Sequence, residues 1–164
     1  MCAKAEGDTV KLLIFSDSHG NTANMADMVR LEQPDQVLHL GDLVGDAQKL
    51  AEQFPKLSVA YVPGNCDGRR PDLPEERCFT LEGCKIFMTH GHTYHVKLGM
   101  GAAVNAARAA GANLLCFGHT HESYCHYERG LWIVNPGTIG SITDPSYAVA
   151  VLEGDGAVCY ISRV

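Results

Sequence analysis

The sequence predicts an α/β fold in which two β-sheets pack together with helices outside. Three observations carry this. Apolar runs in the first two-thirds are near-continuous, as in strands buried on both faces. Segments of helical period lie between them. The last third holds strand patterns and turn signals but no helix.

The elements follow in order. VKLLIF (10–15) reads as the first strand. NTANMADMVRLE (21–32) follows Gly20 and reads as a helix with Asn21 as its N-cap. QVLHL (36–40) is the next strand, and DAQKLAEQF (46–54) is a helix that stops before Pro55. SVAYV (58–62), KIFMT (85–89) and ANLLCF (112–117) continue the strands. VKLGMGAAVNAARAAG (96–111) reads as an Ala-rich helix ending at Gly111. YCHY (124–127), LWIVN (131–135), SYAVAVL (146–152) and AVCYISRV (157–164) are the remaining strands. RG (129–130) and GDG (154–156) supply hairpin turns. No repeat, biased tract or linker interrupts the chain, so residues 1–164 are expected to form one domain.

Composition narrows the function. With 13 Lys plus Arg against 19 Asp plus Glu, the net charge of −6 argues against a tight nucleic-acid or membrane-surface partner, which needs a basic face. A small phosphorylated substrate remains compatible, since bound cations offset local negative charge. Cys2, Cys66, Cys78, Cys84, Cys116, Cys125 and Cys159 form no C-x-x-C pair. They read as reduced thiols, mostly buried, which suits a reducing compartment. MCAKAEGDTV lacks an apolar signal segment and no run is long enough to span a bilayer, so a cytoplasmic location is expected.

The chemistry lies at the strand ends. VKLLIF is followed by Asp17 and His19, QVLHL by Asp42, and SVAYV by Asn65, Cys66 and Asp67. KIFMT is followed by His90 and His92, and ANLLCF by His119 and His121. Each set adjoins glycine, which lets the backbone turn tightly. In α/β folds the carboxyl ends of neighbouring strands share one edge, where ligands bind. Asp17/His19, His90/His92 and His119/His121 are each two apart, so on extended chain each pair can face one site. Carboxylate, amide oxygen and imidazole suit divalent first-row ions without thiolate. The donors exceed what one ion takes, which implies two ions and a shared carboxylate. Other polar residues read differently. His39 sits mid-strand and reads as a hydrogen-bonded core or interface histidine. His95 and His126 read as surface or supporting residues, and Asp35, Asp46 and Asp144 as turn or cap residues. Arg69 and Arg70 read as a solvated loop, with contact to a phosphate or ribose as the alternative, and Lys97 is uncommitted.

The ordered set D-x-H, GD, GN-x-D, H-G-H and GH-x-H resembles the calcineurin-like metallophosphoesterase superfamily, and more closely its small single-domain bacterial and archaeal phosphodiesterases. NPGTIGS (135–141) resembles that subgroup's NPGS segment. The resemblance implies a four-layer αββα sandwich. It implies one ion held by Asp17, His19, Asp42 and His121, and a second by Asp42, Asn65, His90 and His119, with Asp42 bridging. Asp67 would orient the Asn65 loop, and His92 would contact phosphate or support the ligands. The wider superfamily has histidine where this chain has Cys66, which puts help to poor leaving groups in question.

The expected cofactors are two divalent ions, Mn²⁺ first, with Fe, Co, Ni or Zn as alternatives. The expected reaction is hydrolysis of a small phosphate ester, most simply a diester, by hydroxide bridging two cations about 3.5–4 Å apart. Two other readings compete. A retromer subunit of this fold is a protein-binding scaffold, and the other rival is a phosphomonoesterase or nucleotidase. Self-association is open, with Trp132 a candidate exposed interface side chain.

Overall fold

The computed structural model describes residues 9–154 and 156–164. Cys2, the rest of the N-terminal segment to residue 8, and Asp155 of the GDG turn lie outside the described residues.

In chain order the elements are β1 (Val10–Phe15), α1 (Thr22–Glu32), β2 (Gln36–His39), α2 (Val44–Gln53), β3 (Ser58–Tyr61), β4 (Glu76–Leu81), β5 (Cys84–Thr89), α3 (Gly101–Ala109), β6 (Leu114–Cys116), β7 (Ser123–Glu128), β8 (Leu131–Pro136), β9 (Ser146–Glu153) and β10 (Gly156–Arg163). They form two five-stranded mixed sheets, ordered β10-β9-β1-β2-β3 and β4-β5-β6-β8-β7. β1, β2 and β3 run parallel in the first sheet, as do β5, β6 and β8 in the second.

Side-chain alternation explains the continuous apolar runs. Leu12 and Ile14 of β1 face the second sheet, packing with Ile86, Met88 and Cys116. Leu13 and Phe15 face the other way, onto Met25, Val29 and Leu50 of α1 and α2. Across the molecule Phe87, Leu115 and Ile133 pack beneath Ala103 and Ala107 of α3. Each central strand therefore buries both faces, giving the layers α, β, β, α.

Four local expectations are corrected. β4 is a strand the sequence hid: its residues are mostly exposed at a sheet edge, so it carries no apolar pattern. SVAYV is only half-buried because β3 is the opposite edge of its sheet. The 96–111 helix is broken at Gly99, whose φ of +142° no helix accepts, leaving a 3₁₀ turn at Val96–Leu98 and the shorter α3. Trp132 is half-buried, donating from Nε1 to the Ala157 carbonyl at 2.9 Å and lying against Tyr127, so it is not a free interface side chain.

Candidate metal centre

The carboxyl ends of β1, β2, β5 and β6, with the loop after β3, bring the predicted residues to one place. Asp17, Asp42 and His90 each offer an atom within 4.8 Å of the others, and so do Asp17, His19 and His121. The loops abut closely. A Cβ on Gly41 would stand 2.5 Å from the Gly64 nitrogen, and one on Gly118 would stand 2.0 Å from Ser16 Oγ. Only glycine permits these approaches.

Each carboxylate has one oxygen anchored by the protein and one turned to the centre. Asp17 Oδ2 accepts from Ser16 Oγ at 2.5 Å and from the His119 nitrogen at 3.2 Å. Its Oδ1 lies 3.1 Å from His121 Nε2, 3.8 Å from His19 Nε2 and 3.9 Å from His90 Nε2. Asp42 Oδ1 accepts from the Cys66 nitrogen at 2.9 Å. Its Oδ2 lies 3.4 Å from His90 Nε2 and 4.0 Å from His19 Nε2, between the two histidine groups. The His119 ring lies 5.0 Å from the His90 ring and 6.1 Å from that of His92. His19 and His121 are partly open to solvent, at 38% and 48% side-chain exposure, so a substrate can reach them.

The donor set fits metal. His90 Nδ1 is 2.7 Å from the Leu40 carbonyl, which can only accept, so Nδ1 carries the proton. The other ring nitrogen, Nε2, lies 3.1 Å from Asn65 Oδ1 and faces the two carboxylates. Acceptor oxygens gathered around this nitrogen call for positive charge among them, which a proton on Nε2 or a metal ion supplies. The titration behaviour reflects the same demand. Burial lowers the basicity of His90, but the hydrogen bond to Asp42 and the charge of Asp17 outweigh it and raise its pKa. Burial opposes ionisation of Asp42, yet His90 holds its carboxyl well below the usual range. His119 is pushed down to about 4 by burial and then by the charges of His90 and Lys97, so it presents a neutral nitrogen.

The backbone is strained at this centre. Among the described residues nine non-glycines have positive φ, and five of them are Asp17, His19, Asp42, His119 and His121. Such conformations cost on the order of 1–3 kcal/mol each and persist where surrounding contacts impose them.

Those contacts are visible. Asp67 Oδ2 accepts from the Gly64 nitrogen at 2.7 Å and the Asp42 nitrogen at 3.1 Å, and its Oδ1 accepts from the Val44 nitrogen at 2.7 Å. It therefore clamps the Asp42 and Asn65 loops together. Asp46, read from sequence as a cap residue, is buried in the first turn of α2. Its carboxylate accepts from Ser18 Oγ and the Gly20 nitrogen, both at 2.7 Å. It fixes the loop carrying Asp17 and His19. His39 is wholly buried and bonds Ser18 Oγ at 3.0 Å, while its Nδ1 accepts from the Gly41 nitrogen at 3.2 Å. Burial pushes its pKa down to about 4. Thr138 Oγ1 donates to the Asp17 carbonyl at 2.8 Å, so the NPGTIGS segment underlies the same loop. Sequence alone gave no sign of the roles of Asp46 and Thr138, because their partners are distant in the chain.

The remaining candidates are placed as follows. His92 sits beside His90, with ring centres 5.4 Å apart, and its buried Nδ1 has no partner among the described residues. Cys66 is exposed, near His19 and Asp42, and burial followed by the Asp42 hydrogen bond raises its thiol pKa. Arg70 is held by Asp72 in its own loop at 2.8 and 3.0 Å. His95 and His126 are exposed.

Comparison with known proteins agrees with this geometry. The model of the calcineurin-like phosphoesterase superfamily domain matches residues 10–156. The chain is 33% identical over 154 residues to the Bacillus subtilis protein named "Probable metallophosphoesterase YsnB", covering 90% of this chain and 88% of that one. It is 27% identical over 146 residues to a phosphodiesterase of Methanocaldococcus jannaschii, covering 78% and 83%. A single mutant of Vps29 from Entamoeba histolytica superposes with a TM-score of 0.73 at 20% identity, covering 94% of this chain and 99% of that one, a likeness of fold alone. With the family model matching nearly the whole described chain and the loops of its strand ends converging as found, this protein belongs to the calcineurin-like phosphoesterase superfamily.

Proposed function

We propose that this chain is a single-domain, two-metal phosphodiesterase in which Asp17, His19, Asp42 and His121 hold one ion and Asp42, Asn65, His90 and His119 the other. The observation that carries the reading is the set of acceptors around His90 Nε2, which faces Asn65 Oδ1 and the free oxygen of Asp42. Carboxylate, amide and imidazole donors favour Mn²⁺, with Fe, Co, Ni or Zn as alternatives. When bound, the ions supply the charge that polarises phosphoryl oxygens and lowers the pKa of a water. The protein's own work is positioning. Asp67 and Asp46 hold the ligand loops rigid, so little reorganisation is left for the reaction itself. His92, beside His90 and His119, is placed to contact a phosphoryl oxygen. The open site and the named phosphodiesterase relative support a diester over a monoester.

Chelation should abolish hydrolysis of bis(p-nitrophenyl) phosphate, and Mn²⁺ should restore it, with p-nitrophenyl phosphate turned over more slowly. Full turnover by chelated, metal-free protein would overturn the reading and leave a scaffold role. Faster monoester turnover would make the protein a phosphomonoesterase.

A further inference from the structure

We propose that the cleft between the Val96–Leu98 turn and strand β7 binds one nucleoside-sized substituent of the phosphodiester, its aromatic ring lying between Leu98 and Tyr124. The assignment rests on the phosphodiesterase reading and names the substrate class for that site. The cleft has a volume of about 630 Å³, within the range of about 300–1,000 Å³ usual for small-molecule sites. Its floor adjoins the metal centre. Thr120, between His119 and His121, lines it together with Asn135. Asn135 Nδ2 donates to Thr120 Oγ1 at 2.9 Å and to the Gly118 carbonyl at 3.2 Å, so floor and ligand loop are one structure.

The walls are suited to a ring. Cys125 packs into the core between the sheets, so on alternating strand geometry Tyr124 faces the opposite way, on the side of its register partner Asn135. Leu98 lines the cleft as well and is 92% exposed. Tyr124 is itself partly exposed. An aromatic and an aliphatic wall take a planar ring, which stacks without regard to its edge chemistry.

Charge sets the rest of the ligand. Lys97 lines the cleft together with Thr120 of the loop that carries His119 and His121. It suits the single negative charge of a diester. Glu122 lines the same cleft. Its carboxylate accepts hydroxyl donors and repels a second phosphate. Ring, hydroxyls and one phosphoryl charge together describe one nucleoside carried on a diester, rather than a polynucleotide.

The test compares two diesters with the same leaving group on Mn²⁺-loaded protein: thymidine 5′-(p-nitrophenyl phosphate) and methyl p-nitrophenyl phosphate. The wild type should favour the thymidine ester in kcat/KM by about tenfold or more, and Tyr124→Ala and Leu98→Ser should each collapse that ratio toward one. A ratio near one in the wild type, or unchanged in both variants, overturns the cleft assignment. Calorimetric titration with thymidine 5′-monophosphate reads the cleft without turnover. A Kd weakened about tenfold by Tyr124→Ala supports the cleft even if neither ester is hydrolysed, the result that would defeat the phosphodiesterase reading instead. An equal Kd in wild type and variant overturns the cleft.

Discussion

His90 Nε2 lies 3.1 Å from Asn65 Oδ1, and both are metal-donor atom types turned to the same centre. A cation beside both atoms is held by both, and either partner alone holds it poorly. His90→Ala and Asn65→Ala should each reduce metal content from two ions to one and lower kcat by about 10²-fold or more, since charge stabilisation at phosphorus is lost. Metal analysis of the purified variants checks this. Two ions at full occupancy in both would reject these residues as ligands.

The centre divides into two groups of imidazoles. His19 and His121 stand around Asp17 Oδ1, with ring centres 5.5 Å apart, whereas His119 lies beside His90. His121→Ala should therefore empty one ion position and His119→Ala the other, and Asp42→Asn should weaken both. Anomalous scattering from crystals of the three variants distinguishes them. Loss of the same ion from both histidine variants would sink the assignment.

The strand ends were legible because each couples an apolar run to a polar residue beside glycine, and parallel strands share a carboxyl edge. The supporting residues were not. Asp46 is 28 residues from Ser18, and Thr138 is 121 from Asp17, so no spacing rule links them. Edge strand β4 escaped for a different reason: four of its six residues are exposed, and only Phe79 and Leu81 pack against the core.

Asp46 accepts two hydrogen bonds from the loop that presents Asp17 and His19. Both bonds end on Asp46 Oδ2, so Asp46→Ala, which removes that oxygen, leaves the Ser18 hydroxyl and the Gly20 nitrogen without this acceptor. Metal affinity should fall about 10–100-fold, as for other residues that orient ligands, with activity recovered at higher Mn²⁺. Mn²⁺ titration of activity measures it. An unchanged activation constant would show that α2 holds the loop by packing alone.

His39 makes the metal-free protein sensitive to acid. Burial lowers its pKa from 6.5 to about 4, so between those values the unfolded chain holds a proton that the folded chain lacks. Its contribution is complete above about pH 6.5 and is lost as pH falls toward 4, on the order of 3 kcal/mol in all. His39→Gln should flatten this part of the stability profile. Urea unfolding of both proteins at several pH values between 4 and 7, with metal removed, gives the difference. Parallel profiles would mean that His39 titrates alike in both states.

Cys66 offers the most direct test of chemistry. Its backbone nitrogen holds Asp42 Oδ1, and its thiol, raised in pKa by burial and by the neighbouring Asp42 carboxylate, stays protonated at neutral pH. A neutral thiol is a weak donor. A histidine at this position could protonate a departing oxygen, a contribution typically of about 10²–10⁴-fold. The enzyme should therefore hydrolyse aryl diesters readily and alkyl diesters slowly, unless His92 supplies the proton. Cys66→Ser should keep both ions and some activity, because the backbone contact to Asp42 survives. Cys66→His should flatten the dependence of log kcat/KM on leaving-group pKa across substituted aryl diesters, with metal content checked. An unchanged slope at full occupancy would place Cys66 away from the leaving group. Complete loss of activity in Cys66→Ser with both ions present would show instead that the thiol itself takes part.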